Sequence, residues 1–155
     1  MRFLVYTTGK GGRDMNIIFS NYGVYKDYIN EQVDKYNREH SEYFGSYKDL
    51  KYDDFGFFAV DESDDIFGAI IGRVKLNWAH IDILWVDEEL RNNGYSSALL
   101  TKAIDFAKEK NCIGIRTETF DKNAKEFYEY IGFKVVGEIK DFPPGHTEYI
   151  LAKKI

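Results

Sequence analysis

Apolar positions along this chain recur with two periods, and the alternation between them outlines the fold. Residues 16–19 read as a short strand. Over residues 24–39, Tyr25, Tyr28, Ile29, Val33 and Tyr36 fall three and four residues apart, which predicts a helix. Residues 37–51 are polar and punctuated, and predict loop and partial helix. Residues 55–60 read as a strand, 61–65 as a turn of poor strand formers, and 66–76 as the next strand, so the pair predicts an antiparallel hairpin. Gly68 and Gly72 inside it predict a bulge or close packing. Residues 79–86 continue the meander.

Residues 95–110 then switch to helical spacing, with Tyr95, Ala98, Leu99, Ala103, Phe106 and Ala107 on one face and Asn111 as the stop. Residues 113–119 read as a strand. A helix separates it from the strand at 79–86, so the two are expected to run parallel. A short helix over 123–130 carries Ala124, Phe127, Tyr128 and Ile131 and ends at Gly132. Residues 133–140 and 147–153 form a closing hairpin around the loop at 141–146. Antiparallel strands, a βαβ crossover, a short helix and a final hairpin predict an α+β fold in one domain spanning residues 1–155.

Composition narrows the partners. The 155 residues are 44% hydrophobic and 30% charged, ordinary for a globular protein, with 12 Tyr and 12 Phe. A net charge of −5 argues against a nucleic-acid backbone. No apolar run approaches the ~20 residues of a membrane span. The single cysteine, Cys112, has no internal disulfide partner and reads as a structural residue, which points to a reducing, cytoplasmic setting. The three histidines lack metal-ligand spacing, so no metal is implied. Gly9-Lys10-Gly11-Gly12-Arg13 lacks the spacing of a nucleotide P-loop.

The most informative stretch is Arg91-Asn92-Asn93-Gly94-Tyr95-Ser96, a polar turn between a strand and a helix. Free N–H groups and the helix dipole at such a start favour an anion, with an ordinary strand-to-helix turn as the alternative. The stretch matches Q/R-x-x-G-x-G/A, and Ala124, Tyr128, Gly132 and Phe133 match A-x-x-x-Y-x-x-x-G-F. With both motifs in this order, residues 57–155 resemble the GNAT superfamily of N-acetyltransferases, most strongly over 81–133. The chain departs from the pattern at Ser96, where Gly or Ala is usual, and at Asp121, where Asn is common.

The resemblance implies a mixed, mostly antiparallel central sheet with a βαβ crossover and helices on both faces. It implies transfer of acetyl from acetyl-CoA to an amine. Arg91, Asn92, Asn93, Gly94, Tyr95 and Ser96 would hold the CoA pyrophosphate. Main-chain groups of Leu84, Trp85 and Val86 would pair with the pantetheine amides at a splayed strand edge, where a local bulge would aim an N–H at the thioester carbonyl. Asp121, Ala124 and Phe127 would line the CoA arm, and Tyr128 would protonate the leaving thiolate. His80 falls where some members carry a general base.

Regular strand alternation puts His80, Asp82, Leu84 and Val86 on one face. His80 could then deprotonate the amine, with Asp82 orienting it, replacing it or binding the substrate's charge; the alternative for both is a solvated sheet face. His146 reads as a surface loop residue. The acceptor is expected to be a small amine or amino-acid-like metabolite, and the aromatic helix at 24–39 to form a wall of the acceptor site or a homodimer contact. The competing reading is a non-catalytic acetyl-CoA sensor or partner-binding module, which would have no use for Tyr128.

Overall fold

The computed structural model describes residues 23–42 and 53–155 in full, and the backbone of two short strands, β1 (Leu4–Tyr6) and β2 (Met15–Ile17). The sequence readings for residues 9–13, 18–19 and 43–51 lie outside the described residues. The chain divides into two compact units, Met1–Asp49 and Leu50–Ile155. In the first, β1 and β2 pair antiparallel, Val5 opposite Asn16, and α1 spans Lys26–His40. Asp27 in its first turn and Arg38 and His40 in its last complement the helix dipole.

The second unit is built on a six-stranded sheet. Its elements are β3 (Asp53–Val60), β4 (Ile66–Lys75), β5 (Trp78–Val86), α2 (Tyr95–Glu109), β6 (Gly114–Thr119), α3 (Lys122–Tyr130), β7 (Lys134–Lys140) and β8 (Thr147–Lys154). Strand order is β3-β4-β5-β6-β8-β7, antiparallel throughout except for β5 beside β6. The crossovers β5-α2-β6 and β6-α3-β7 step the same way across the sheet, so the right-handed rule puts both helices on one face. Their buried side chains join one core: Leu99, Leu100, Ala103 and Ala107 from α2 and Tyr128 from α3 meet Ile70, Ile81, Ile115 and Leu151 from the strands. Leu100, which the predicted face of α2 omitted, is fully buried, a burial worth about 1.5–3 kcal/mol.

The predicted punctuation falls where the helices end. Asn111 adopts φ 58 one residue past the C-cap of α2, and Gly132 adopts φ +97 after α3. Cys112 is buried and free, and burial pushes its thiol pKa upward. Among the described residues, no helix is long and apolar enough to cross a membrane.

Candidate active site

The parallel joint between β5 and β6 is short. Pairing covers Trp78 with Gly114, Ala79 with Ile115 and His80 with Arg116, and then the strands part. Beyond the last pair no strand among the described residues pairs with β5 on that side, and the Thr117 hydroxyl reaches across to the Ile81 carbonyl. A cleft of about 820 Å³ opens there, lined by Leu84, Trp85 and Val86 of β5, the turn into α2, and Asp121, Ala124, Phe127 and Tyr128 around α3.

β5 itself is irregular. Ile81 lies opposite Gly72 and Ile83 opposite Ile71, which leaves Asp82 as the extra residue of a β-bulge. The bulge reverses the phase of the strand. Ala79 and Ile81 face the core before it; after it Leu84 and Val86 do, opposite Ile70 and Gly68. The expectation that His80, Asp82, Leu84 and Val86 share one face is therefore corrected. Ile83 and Trp85 join His80 on the open face of the sheet, and both are exposed.

The turn after β5 is held from within. Asp87 caps a short 3-10 turn, Glu88–Leu90, by accepting from the Glu89 N–H at 3.3 Å. Arg91 folds back to donate from Nε to the Val86 carbonyl at 3.1 Å. Asn93 turns back on its own loop, its Nδ2 donating to the carbonyls of Leu90 and Arg91, and it alone of the predicted turn residues does not line the cleft. Gly94 takes φ 84 at the N-cap, where it offers no capping side chain. The first bond of α2 runs from the Ala98 N–H to the Gly94 carbonyl. Among the described residues, the N–H groups of Tyr95, Ser96 and Ser97 are thus left at the cleft without a helical or side-chain acceptor, at the positive end of the helix dipole. The Tyr95 ring packs edge-on against Phe67 of β4, centroids 4.9 Å apart, which fixes this end of α2 to the sheet.

Across the cleft, Asp121 caps α3 by accepting from the Asn123 N–H at 2.7 Å. An aspartate serves such a cap as well as an asparagine. Tyr128 is buried among Phe127 and Phe133 yet reaches the cleft wall. Burial pushes its pKa up to about 12, against a smaller downward pull from the Thr117 side chain. The phenol is therefore a neutral proton donor across the physiological range.

The open face carries a charged row across three strands. Arg73, His80 and Arg116 stand side by side on β4, β5 and β6. Asp82 lies 2.9 Å from Arg73 and 2.9 Å from His80 Nδ1; Glu118 lies 2.5 Å from His80 Nε2 and pairs with Arg116. The Nδ1 contact is too far off the ring N–H axis to be a hydrogen bond, and Nδ1 is closed to solvent. His80 is thus clamped between two carboxylates, each about a third exposed or less. Among the described residues no group is arranged as a metal site.

The sequence named His80 and Asp82 but not Glu118, Arg73, Arg116 or Thr117. The two residues on β6 nearest the paired His80, Arg116 and Glu118, carried a legible sign: opposite charges two apart on one face of a strand. His146 sits in the β7–β8 loop, where its carbonyl accepts from the Phe142 N–H, and it does not line the cleft.

Residues 21–133 match the acetyltransferase (GNAT) family. A blasticidin-S acetyltransferase of Streptomyces morookaense is 36% identical over 102 residues, covering 65% of this chain and 75% of that protein. Streptothricin acetyltransferase A of Bacillus subtilis is 34% identical over 99 residues, covering 57% and 56%. The crystal structure of an acetyltransferase from Bacillus cereus shares the fold with a TM-score of 0.79 and 31% identity, over 90% of this chain and 97% of that one.

Proposed function

The chain belongs to the acetyltransferase (GNAT) family and is an acetyltransferase; we propose that it transfers the acetyl group of acetyl-CoA to the primary amine of a small molecule, by direct attack within a ternary complex. The observation that carries the reading is one cleft bordered by uncapped helix N–H groups, an unpaired strand end and a buried phenol.

In this reading the N–H groups at the start of α2, with Arg91, Asn92, Gly94, Tyr95 and Ser96, take the pyrophosphate. The Ser96 side chain is small enough to leave that approach open and adds a hydroxyl. The main chain of Leu84, Trp85 and Val86 pairs with the pantetheine amides. Ala124 and Phe127 line the arm, while Asn93 and Asp121 shape the turn and the first turn of α3. Tyr128 gives its proton to the departing thiolate. On the open face, His80 and Asp82 act as a pair. Both ring nitrogens of His80 are engaged or closed, so the Asp82 carboxylate, a third exposed, is the member that meets the acceptor's ammonium. Direct attack by the amine has no use for a protein nucleophile, in keeping with the buried Cys112.

The relatives named for blasticidin S and streptothricin support a small-molecule acceptor. The test is free-thiol release from acetyl-CoA across a panel containing blasticidin S, streptothricin, free amino acids and a peptide N-terminus. Release with a small amine is expected. Acetyl-CoA binding by calorimetry, with no release from any amine, would favour a non-catalytic sensor instead.

A further inference from the structure

Beside the charged row, the open face of β3, β4 and β5 is apolar. Phe58, Ala69 and Trp85 stand opposite one another on the three strands, and Gly56, Ile71 and Ile83 form the next row. Phe58, Ile83 and Trp85 are 55%, 52% and 43% exposed. Large apolar side chains gathered and exposed in one place mark a ligand or interaction surface. The small Ala69 leaves a trough between Phe58 and Trp85, whose strands lie two spacings, about 10 Å, apart.

One end of this patch is acidic. Asp82 uses Oδ1 for both its contacts, with Arg73 and with His80, and among the described residues its Oδ2 has none. Asp82 lies just past His80, the last residue of β5 paired with β6, so it stands at the edge of the gap between the strands. Trp85, at the other end, also lines the cleft. From Asp82 to Trp85 is about 10 Å of strand, the reach of a planar ring with a short chain to a nitrogen.

We infer that the acceptor amine is carried by a planar, unsaturated ring, and that the side chains of Trp85 and Ile83 determine this specificity. The ring lies in the trough over Ala69 and Ile71 against the Trp85 indole, and the ammonium reaches the free oxygen of Asp82. This rests on the reading of Asp82 as the ammonium's partner, and names the class of molecule that it meets. A flat ring gains from an indole both apolar burial and stacking, and an alkyl chain gains only the burial. The carboxylate at one end of the patch gives it a polarity that suits a cationic amine better than a second copy of this chain.

The test is the ratio of kcat/KM for 2-phenylethylamine to that for butylamine, by thiol release from acetyl-CoA. Both amines share the donor, so the ratio cancels any effect of a substitution on acetyl-CoA binding. The native enzyme is expected to favour the aryl amine about tenfold or more. Trp85→Leu is expected to abolish most of that preference through a higher KM for the aryl amine, Trp85→Phe to retain it, and Ile83→Ala to lower it a few-fold. Thiol release with no preference in the native enzyme, or with a ratio that neither Trp85→Leu nor Ile83→Ala moves, would overturn the inference and leave the transfer reading standing. A ratio unmoved while Trp85→Leu changes the oligomeric state by sedimentation would give the patch to a second copy instead. No release from any amine would remove the transfer reading and the inference together.

Discussion

Gly72 is the residue that lets β5 bulge, and replacing it with alanine tests that geometry. It lies opposite Ile81 on β4 and is buried. A Cβ at this position would lie 2.1 Å from the His80 carbonyl oxygen and 2.6 Å from the Phe55 ring, about 0.9 Å inside the 3.0 Å limit that Cβ atoms respect. The ring can turn, but the carbonyl is backbone, held where β5 makes its last pair with β6. Relief therefore requires β4 and β5 to separate. Overpacking that moves backbone costs about 1–3 kcal/mol, and an approach this close to a backbone carbonyl belongs at the upper end, about 3 kcal/mol. For a unit of this size, each kcal/mol shifts Tm by about 4–8 °C, so Gly72→Ala is expected to melt about 12–24 °C lower.

Urea unfolding followed by circular dichroism is the assay, with the midpoint falling and the slope unchanged. Gly56→Ala is the control. It sits one residue from the strand partner of Gly72, and its Cβ would meet only the end of the Phe58 ring at 3.1 Å and Ile71 at 3.5 Å. It is expected to stay within about 0.5 kcal/mol of the parent. Were Gly72→Ala equally neutral, the close approach of the His80 carbonyl, and the bulge geometry derived from it, would be wrong.

Tyr128→Phe is expected to lower turnover by roughly one to three orders of magnitude with acetyl-CoA affinity unchanged, measured by thiol release and calorimetry. The same variant isolates an alkaline effect. The native phenol titrates near 12 and an unfolded one near its ordinary value of 10, so the unfolded chain loses its proton first as pH rises. The native state's advantage is complete below pH 10 and declines toward pH 12 by about 2–3 kcal/mol, and Tyr128→Phe is expected to lack that decline in pH-dependent urea unfolding. Cys112, buried with its thiol pKa raised, is expected to react with a thiol reagent at pH 8 only as the chain opens; labelling of the native protein at the unfolded chain's rate would contradict its burial.

Legibility in the sequence followed the range of the interactions. The elements of the second unit were readable because each depends on neighbours within a turn or two: apolar spacing for α2 and α3, Asn111 and Gly132 for their ends, Asp61 to Asp65 for the first hairpin. The turn at Arg91 to Ser96 was readable for the same reason. The Asp82 bulge was not. Ile83-Leu84-Trp85-Val86 is apolar at every position, so no polar residue reports which side faces out, and a change of phase inside it leaves no mark. The partners of this cluster also lay beyond reach, since Arg73 meets Asp82, and Glu118 meets His80, only through the register of three strands. Thr117 is a short polar residue in a strand, and only its burial separates it from an exposed one.

The sheet of the second unit is two three-stranded halves joined, between β5 and β6, by three residue pairs, the Thr117 hydroxyl and the His80–Glu118 bond. Such a seam is weak against opening, because few bonds must break for the halves to hinge apart about α2. Amide exchange should accordingly be fastest, among the inner strands, along the part of β5 beyond His80. An extended molecule lying in the gap would supply strand pairing that β5 and β6 lack there. Filling the cleft would then also complete the sheet, and resistance to unfolding should rise with ligand concentration as an added strand would raise it.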